Sequence, residues 1–190
     1  GKKHDLMVIA PAHHRRIQAG ILSWGQDLDH EHNPFQCNLG YQVSLSGKGE
    51  WAKKGDYICK QALEKMKADL KDGHKPYKLQ LVGFEIGGKP IDEYAPDFWL
   101  VSPGDGGDPC GFITSPWYHP EKGKNIAMGY IPFDGTLNPN GFPKWELGKK
   151  FKVHLPDIYA DEPGVPVDAV TVDVPFTESF NANTREVVKG

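Results

Sequence analysis

The sequence predicts an α+β N-terminal piece followed by an all-β barrel domain, mixed α/β overall. Three observations predict it. Ile17, Gly20, Ile21 and Trp24 recur at i, i+3, i+4 and i+7, one stripe of an amphipathic helix. Ile58, Ala62, Met66 and Leu70 recur every four residues, a second packing helix. From Tyr77 the texture changes to short alternating runs between Gly and Pro clusters, the pattern of a barrel or sandwich. The change falls at Gly73 to Pro76, which divides the chain into residues 1–75 and 76–190.

Taken in order, GKKHDLMVIAP reads as a strand, since its apolar run is too short for a signal peptide. A domain that opens directly on such a strand is expected to continue something longer. Pro11 suits the first turn of a helix and Gly25 its stop, so the first helix is expected from about Pro11 to Trp24. Arg16 borders its stripe, and Gly20, four residues on, leaves space beside the guanidinium for an anion; the plainer expectation lays the Arg16 stem on the core with its head in water. On that helix Arg16 and Trp24 would lie about 12 Å apart in rise and roughly 80° around the axis, able to border one cleft. A polar loop from Gly25 to Pro34 follows, in which Asp27 or Asp29 is expected to bond nearby backbone amides. An extended run toward Tyr41 to Leu45 comes next, and Asp56 is expected to cap the second helix, which runs to about Leu70 and stops at Gly73.

In the second half, strands are expected at about Lys78 to Ile86, Phe98 to Ser102, Gly111 to Ser115, Asn125 to Pro132, Phe151 to Leu155 and Ala169 to Val174. Gly87-Gly88 reads as a turn folding the first strand back on itself, and Gly104-Asp105-Gly106-Gly107 as a hairpin loop rather than a phosphate loop, having no Lys-Ser/Thr pair after it. Phe133 to Leu147 and Pro156 to Pro166 are too long and too rich in Pro, Gly, Asn and Asp for turns, and read as surface insertions. The tail from Phe176 is expected to lie extended across a neighbouring surface.

Composition narrows the function classes. With 38% hydrophobic residues over 190 positions the chain can bury a real core. Net charge is −3 and the basic residues are scattered, which argues against a nucleic-acid or membrane partner. Cys37, Cys59 and Cys110 form an odd, widely spaced set, so no disulfide framework is expected and a cytoplasmic location fits best. Asp27, Asp29, His30, Glu31 and His32 lack the spacing of a metal site, and no metal is expected.

Several stretches resemble the aminomethyltransferase family, that of the glycine cleavage T-protein. Arg16-Ile-Gln-Ala-Gly-Ile-Leu-Ser-Trp-Gly-Gln-Asp-Leu-Asp, with Asn33-Pro34 after it, is similar to the family's R-L-E-A-G-L-x-L-Y-G-x-D-I-D and its downstream Pro. Asp56-Tyr-Ile-Cys-Lys-Gln-Ala-Leu resembles D-F-I-G-K-x-A-L; Gly111-Phe-Ile-Thr-Ser and Lys124-Asn-Ile-Ala-Met-Gly-Tyr-Ile resemble G-x-V-T-S and K-N-I-A-M-G-Y-V. Gln18, Trp24 and Asn33 depart from the T-protein pattern and resemble instead a relative acting on other methyl donors, dimethylsulfoniopropionate-demethylase-like or O-demethylase-like.

The resemblance implies a C-terminal half: residues 1–75 the end of a folate-binding domain, residues 76–190 the family's C-terminal β-barrel. It implies transfer of a methyl or aminomethyl group from a small donor to tetrahydrofolate. Arg16 would be the charge partner of the folate, Trp24 an aromatic wall for its ring system, and Asp27 would orient the neighbouring strand or touch the cavity. No residue here matches the family's catalytic carboxylates, so none is assigned a catalytic role. The expected partners are the donor and N-terminal domains of the same protein, with self-association of these 190 residues to cover apolar surface around Ile17, Ile21 and Trp24. Two alternatives stand beside this one: a non-catalytic folate-binding or scaffolding module, and the tail of a flavin-linked demethylating dehydrogenase.

Overall fold

A computed structural model of the chain describes His4, residues 12–43, Leu45 and residues 57–176. The expected strand before Pro11, the Asp56 cap and the tail beyond Phe176 lie outside the described residues.

Six strands close into an antiparallel barrel: β1 Leu79–Ile86, β2 Trp99–Pro103, β3 Gly111–His119, β4 Lys124–Pro132, β5 Lys150–Val153 and β6 Val167–Val172. Around the barrel their order is β1-β4-β3-β2-β5-β6, with β6 pairing back to β1. All six expected strands form, shifted by a few residues at their ends. The loop at Gly104 to Gly107 does join an antiparallel pair, β2 and β3. Gly87-Gly88 does not fold β1 onto the next strand, because β1 lies between β4 and β6. There Gly88 takes φ +86, and a Cβ would meet the Tyr159 carbonyl oxygen at 2.5 Å, so the chain leaves β1 through a position only glycine can occupy.

The strands alternate less cleanly than a half-exposed sheet would, since β4 is buried along seven consecutive residues. Two apolar clusters explain this. Val82, Phe84, Ile86, Ala127, Ile131, Val101, Ile113, Phe151 and Val153 point into the barrel. Their alternating neighbours Leu81, Ile126, Met128 and Tyr130 point out, where an arm of residues 12–43 covers them with Ile17, which is 1% exposed, and Phe176 closes the same cluster. Burying a side chain of Ile17's size contributes roughly 1.5–3 kcal/mol.

The arm begins with one short helix, α1 His13–Gln18, not a helix reaching Trp24. Gly20 at φ +68 ends it: the amide of Ile21 donates to the Arg16 carbonyl (2.8 Å) and that of Gly20 to the Ile17 carbonyl (2.9 Å), the paired closure of a Schellman stop. The space beside Gly20 is taken by the Val174 side chain rather than left for an anion. Gly40–Gln42 form one turn of 3-10 helix where an extended run was expected.

The second helix, α2 Lys60–Lys71, follows Cys59 in a left-handed conformation (φ +69). Its packed face is Leu63, Met66 and Leu70 against Phe35, Tyr77 and Phe133, while Ile58 is 92% exposed and Ala62 exposed. Spacing alone could not choose between the two overlapping stripes. The presumed insertions also contribute to packing: Phe133 caps that cluster, and Tyr159 and Ala160 are buried in the barrel interior. No helix among the described residues is long and apolar enough to cross a membrane.

Candidate functional site

The outer face of the barrel at β3 receives the arm through a knot of polar side chains. A register shift between Ile113 and Ser115 leaves Thr114 without a partner on β4. Adjacent residues in a regular strand face opposite ways; the bulge turns both hydroxyls to one side. Thr114 Oγ1 and Ser115 Oγ both donate to Asp27 Oδ1, at 2.6 and 2.5 Å. The Thr114 carbonyl, freed from the ladder, accepts from Gln26 Nε2 at 2.7 Å.

Asp27 is the centre of the knot and its side chain is fully buried. Its Oδ2 accepts from the Ser23 amide at 2.8 Å and from Arg16 Nη1 at 2.8 Å, while its carbonyl accepts from Tyr130 Oη at 2.7 Å. Burial pushes the Tyr130 phenol well above the ordinary tyrosine range, so it stays protonated and serves as donor. Cys37 Sγ lies 3.4 Å from Tyr130 Oη, and because that phenol's proton goes to Asp27, the thiol is the donor. Burial raises the Cys37 thiol in turn.

Arg16 lies under the arm with its side chain 16% exposed. Nη1 also donates to the Ile21 carbonyl (3.2 Å), Nη2 to Gln26 Oε1 (3.1 Å) and Ser115 Oγ (2.8 Å), and Nε to His13 Nδ1 (3.3 Å). His13 therefore accepts through Nδ1. Burial first, then the Arg16 charge, hold it below the ordinary histidine value. Its ring sits 4.7 Å from that of Tyr94 and is stacked 6.3 Å from that of Trp117.

Above this knot opens a concavity of about 580 Å³, lined by Ala12, His13, Arg15, Arg16, Ala19, Ile21 and Ser23. An apolar floor of Ala12, Ala19 and Ile21 with a basic rim suits a flat ligand carrying an anionic end. No carboxylate is among the described residues that line it.

Of the residues singled out in the sequence, Arg16 and Asp27 meet, and Arg16 borders the concavity. Trp24 does not share it: the helix ends at Gln18, two residues after Arg16, and the indole is 68% exposed. Asp29 does hold a nearby amide, that of Glu31 at 2.8 Å, and with His32 Nδ1 at 2.7 Å this keeps its carboxyl below the usual range. No group of three or more His, Cys, Asp or Glu among the described residues could hold a metal ion. Gln26, Ser23, Thr114, Ser115 and Tyr130 went unassigned in the sequence. The one signal for them was that each stands in a family-like stretch: Ser23 and Gln26 in the first, Thr114 and Ser115 in Gly111 to Ser115, and Tyr130 in Lys124 to Ile131.

No family model matches the chain. Among curated proteins it is 32% identical over 117 residues to an aminomethyltransferase of Synechocystis sp., covering 62% of this chain and 27% of that protein. It is 28% identical over 162 residues to an aminomethyltransferase of Thermosynechococcus vestitus, covering 85% and 35%. The chain thus spans about a quarter to a third of the length of the curated relatives it matches. The crystal structure of glycine cleavage system aminomethyltransferase T from Bartonella henselae shares its fold, with a TM-score of 0.58 at 20% identity over 86% of this chain and 37% of that one.

Proposed function

The chain is a relative of the aminomethyltransferases over part of their length, and from that premise we propose that it forms the C-terminal portion of a tetrahydrofolate-dependent protein. That protein would transfer a methyl or aminomethyl group from a small donor. One observation carries the reading: the two family-like stretches, Arg16 to Asp29 and Gly111 to Ser115, meet directly, Arg16 and Asp27 on the Ser115 hydroxyl, Asp27 on the Thr114 hydroxyl and Gln26 on the Thr114 carbonyl. The motif residues thus hold a segment at a fixed place above the barrel, and the concavity sits where that segment turns.

Tetrahydrofolate, when bound, supplies the nitrogen that accepts the carbon. The chain's own part is binding and placement. Ala12, Ala19 and Ile21 give an apolar wall, the basic rim gives charge for the ligand's carboxylates, and the knot fixes both against the barrel. Displacement at carbon needs donor and acceptor held in line within roughly 3–3.5 Å, in a site that excludes water. A concavity open on one side does neither. The carboxylates that assist transfer, and the second wall, would come from segments outside these 190 residues.

Titration with 5-formyltetrahydrofolate, followed by calorimetry, is expected to give measurable binding. An assay with an aminomethyl carrier, a sulfonium compound and an aromatic methyl ether is expected to give no turnover above the rate without protein. Absence of binding would overturn the folate reading; turnover by these residues alone would overturn the reading of an incomplete cavity.

A further inference from the structure

We propose that Arg15, and not Arg16, is the cation that receives the carboxylate end of a ligand in the concavity above α1. The inference rests on the folate reading above and names the residue that would meet the ligand's glutamate.

A guanidinium has five N–H donors and no acceptor, so its capacity can be counted to the end. Arg16 has used all five: Nε on His13, Nη1 on Ile21 and Asp27, Nη2 on Gln26 and Ser115. A carboxylate could approach it only by displacing one of these partners. Its charge, moreover, is already matched by Asp27 at 2.8 Å, a carboxylate wholly buried and inseparable from the β3 bulge. An incoming anion would meet a neutral pair.

Arg15 stands next to it in the opposite situation. It lines the same concavity, is exposed, and has no side-chain partner among the described residues. Its planar fork is free for two parallel bonds to a carboxylate, the arrangement in which arginine is strongest. The Arg16 knot holds α1, and so holds Arg15, at the rim. Arg16 is a positioning residue here, and Arg15 the binding one.

The test uses the whole chain and two probes, 5-formyltetrahydrofolate and its analogue lacking the glutamate. Arg15→Gln is expected to weaken the first about tenfold, the loss of a charge-assisted contact, and to leave the second within about twofold. Arg16→Gln is expected to weaken both alike and to lower the melting temperature, which Arg15→Gln does not. Labelling with an arginine-selective dicarbonyl, read by mass spectrometry, supplies an arm that needs no ligand: Arg15 is expected to react and Arg16 to resist. Glutamate-dependent binding that survives in Arg15→Gln, or labelling of Arg16 as fast as Arg15, overturns the proposal and leaves the folate reading standing. If the parent chain binds neither probe, the folate reading falls and this proposal with it.

Discussion

The barrel and the arm that lies on it are held by different physics. Inside the barrel, Val82, Phe84, Val101, Ala127 and Val153 are fully buried in an apolar cluster, with Phe84 edge-on to Phe151 at 5.9 Å between ring centres. That stability is area removed from water, spread over many neighbours. The arm adds apolar anchors near its two ends, Ile17 and Phe35, and between them depends on a few polar atoms whose partners are specified one by one. A distributed attachment degrades by degrees, whereas a specified one fails when a single member is removed, because each remaining partner is then buried and unpaired.

The largest effect expected from breaking this contrast is in the barrel. Phe84→Ala should cost about 3–5 kcal/mol, the range for truncating a buried aromatic, and should lower the melting of the whole chain in one transition. Asp27→Ala comes next, at about 3 kcal/mol, since it leaves the Arg16 charge without its counter-ion and removes the acceptor that two buried hydroxyls share. Its signature differs: hydrogen exchange should rise across residues 12–43 while the interior strands stay protected. Joint replacement, Arg16→Met with Asp27→Leu, should recover much of that loss, since an apolar pair of similar volume leaves no unpaired charge. Loss of arm and barrel together in Asp27→Ala would erase the distinction.

The smallest effect is pH. His13 in the folded chain lies below its ordinary value of 6.5, so the unfolded state binds the extra proton first as pH falls. Arm stability should be complete above about pH 6.5 and decline as pH drops through the lowered value, where an Nδ1 proton would face the Arg16 Nε–H. Melts between pH 8 and pH 5 should show this decline in the parent chain and not in His13→Gln.

The same contrast explains what the sequence could disclose. Barrel strands announce themselves through apolar spacing and Gly-Pro punctuation, so all six were expected near where they stand. The helix stop was ambiguous because Gly20 and Gly25 both qualify, and it is Gly20, at φ +68 with Val174 packed where a Cβ would stand, that is used. The α2 stripe was misjudged because Ile58, 92% exposed, looks as apolar on paper as Leu63. Asp27 as the centre of a knot was not legible from spacing at all. Its hydroxyl partners face it only because of a bulge, and no periodicity foretells a bulge at Thr114.

Order of synthesis gives the Asp27 contacts a further meaning. Thr114, Ser115 and Tyr130 follow Asp27 by 87, 88 and 103 positions. At roughly 5–20 residues per second, a ribosome that has delivered Asp27 delivers its partners about 5–20 s later. Through that interval a carboxylate destined for full burial, and an Ile17 destined for the barrel's outer cluster, stay in water with no surface to dock on. The arm is made before the β3–β4 hairpin on which it docks. A nascent chain stalled before Tyr130 would therefore offer a protease or chaperone the segment that carries the candidate site, rather than the barrel that supports it.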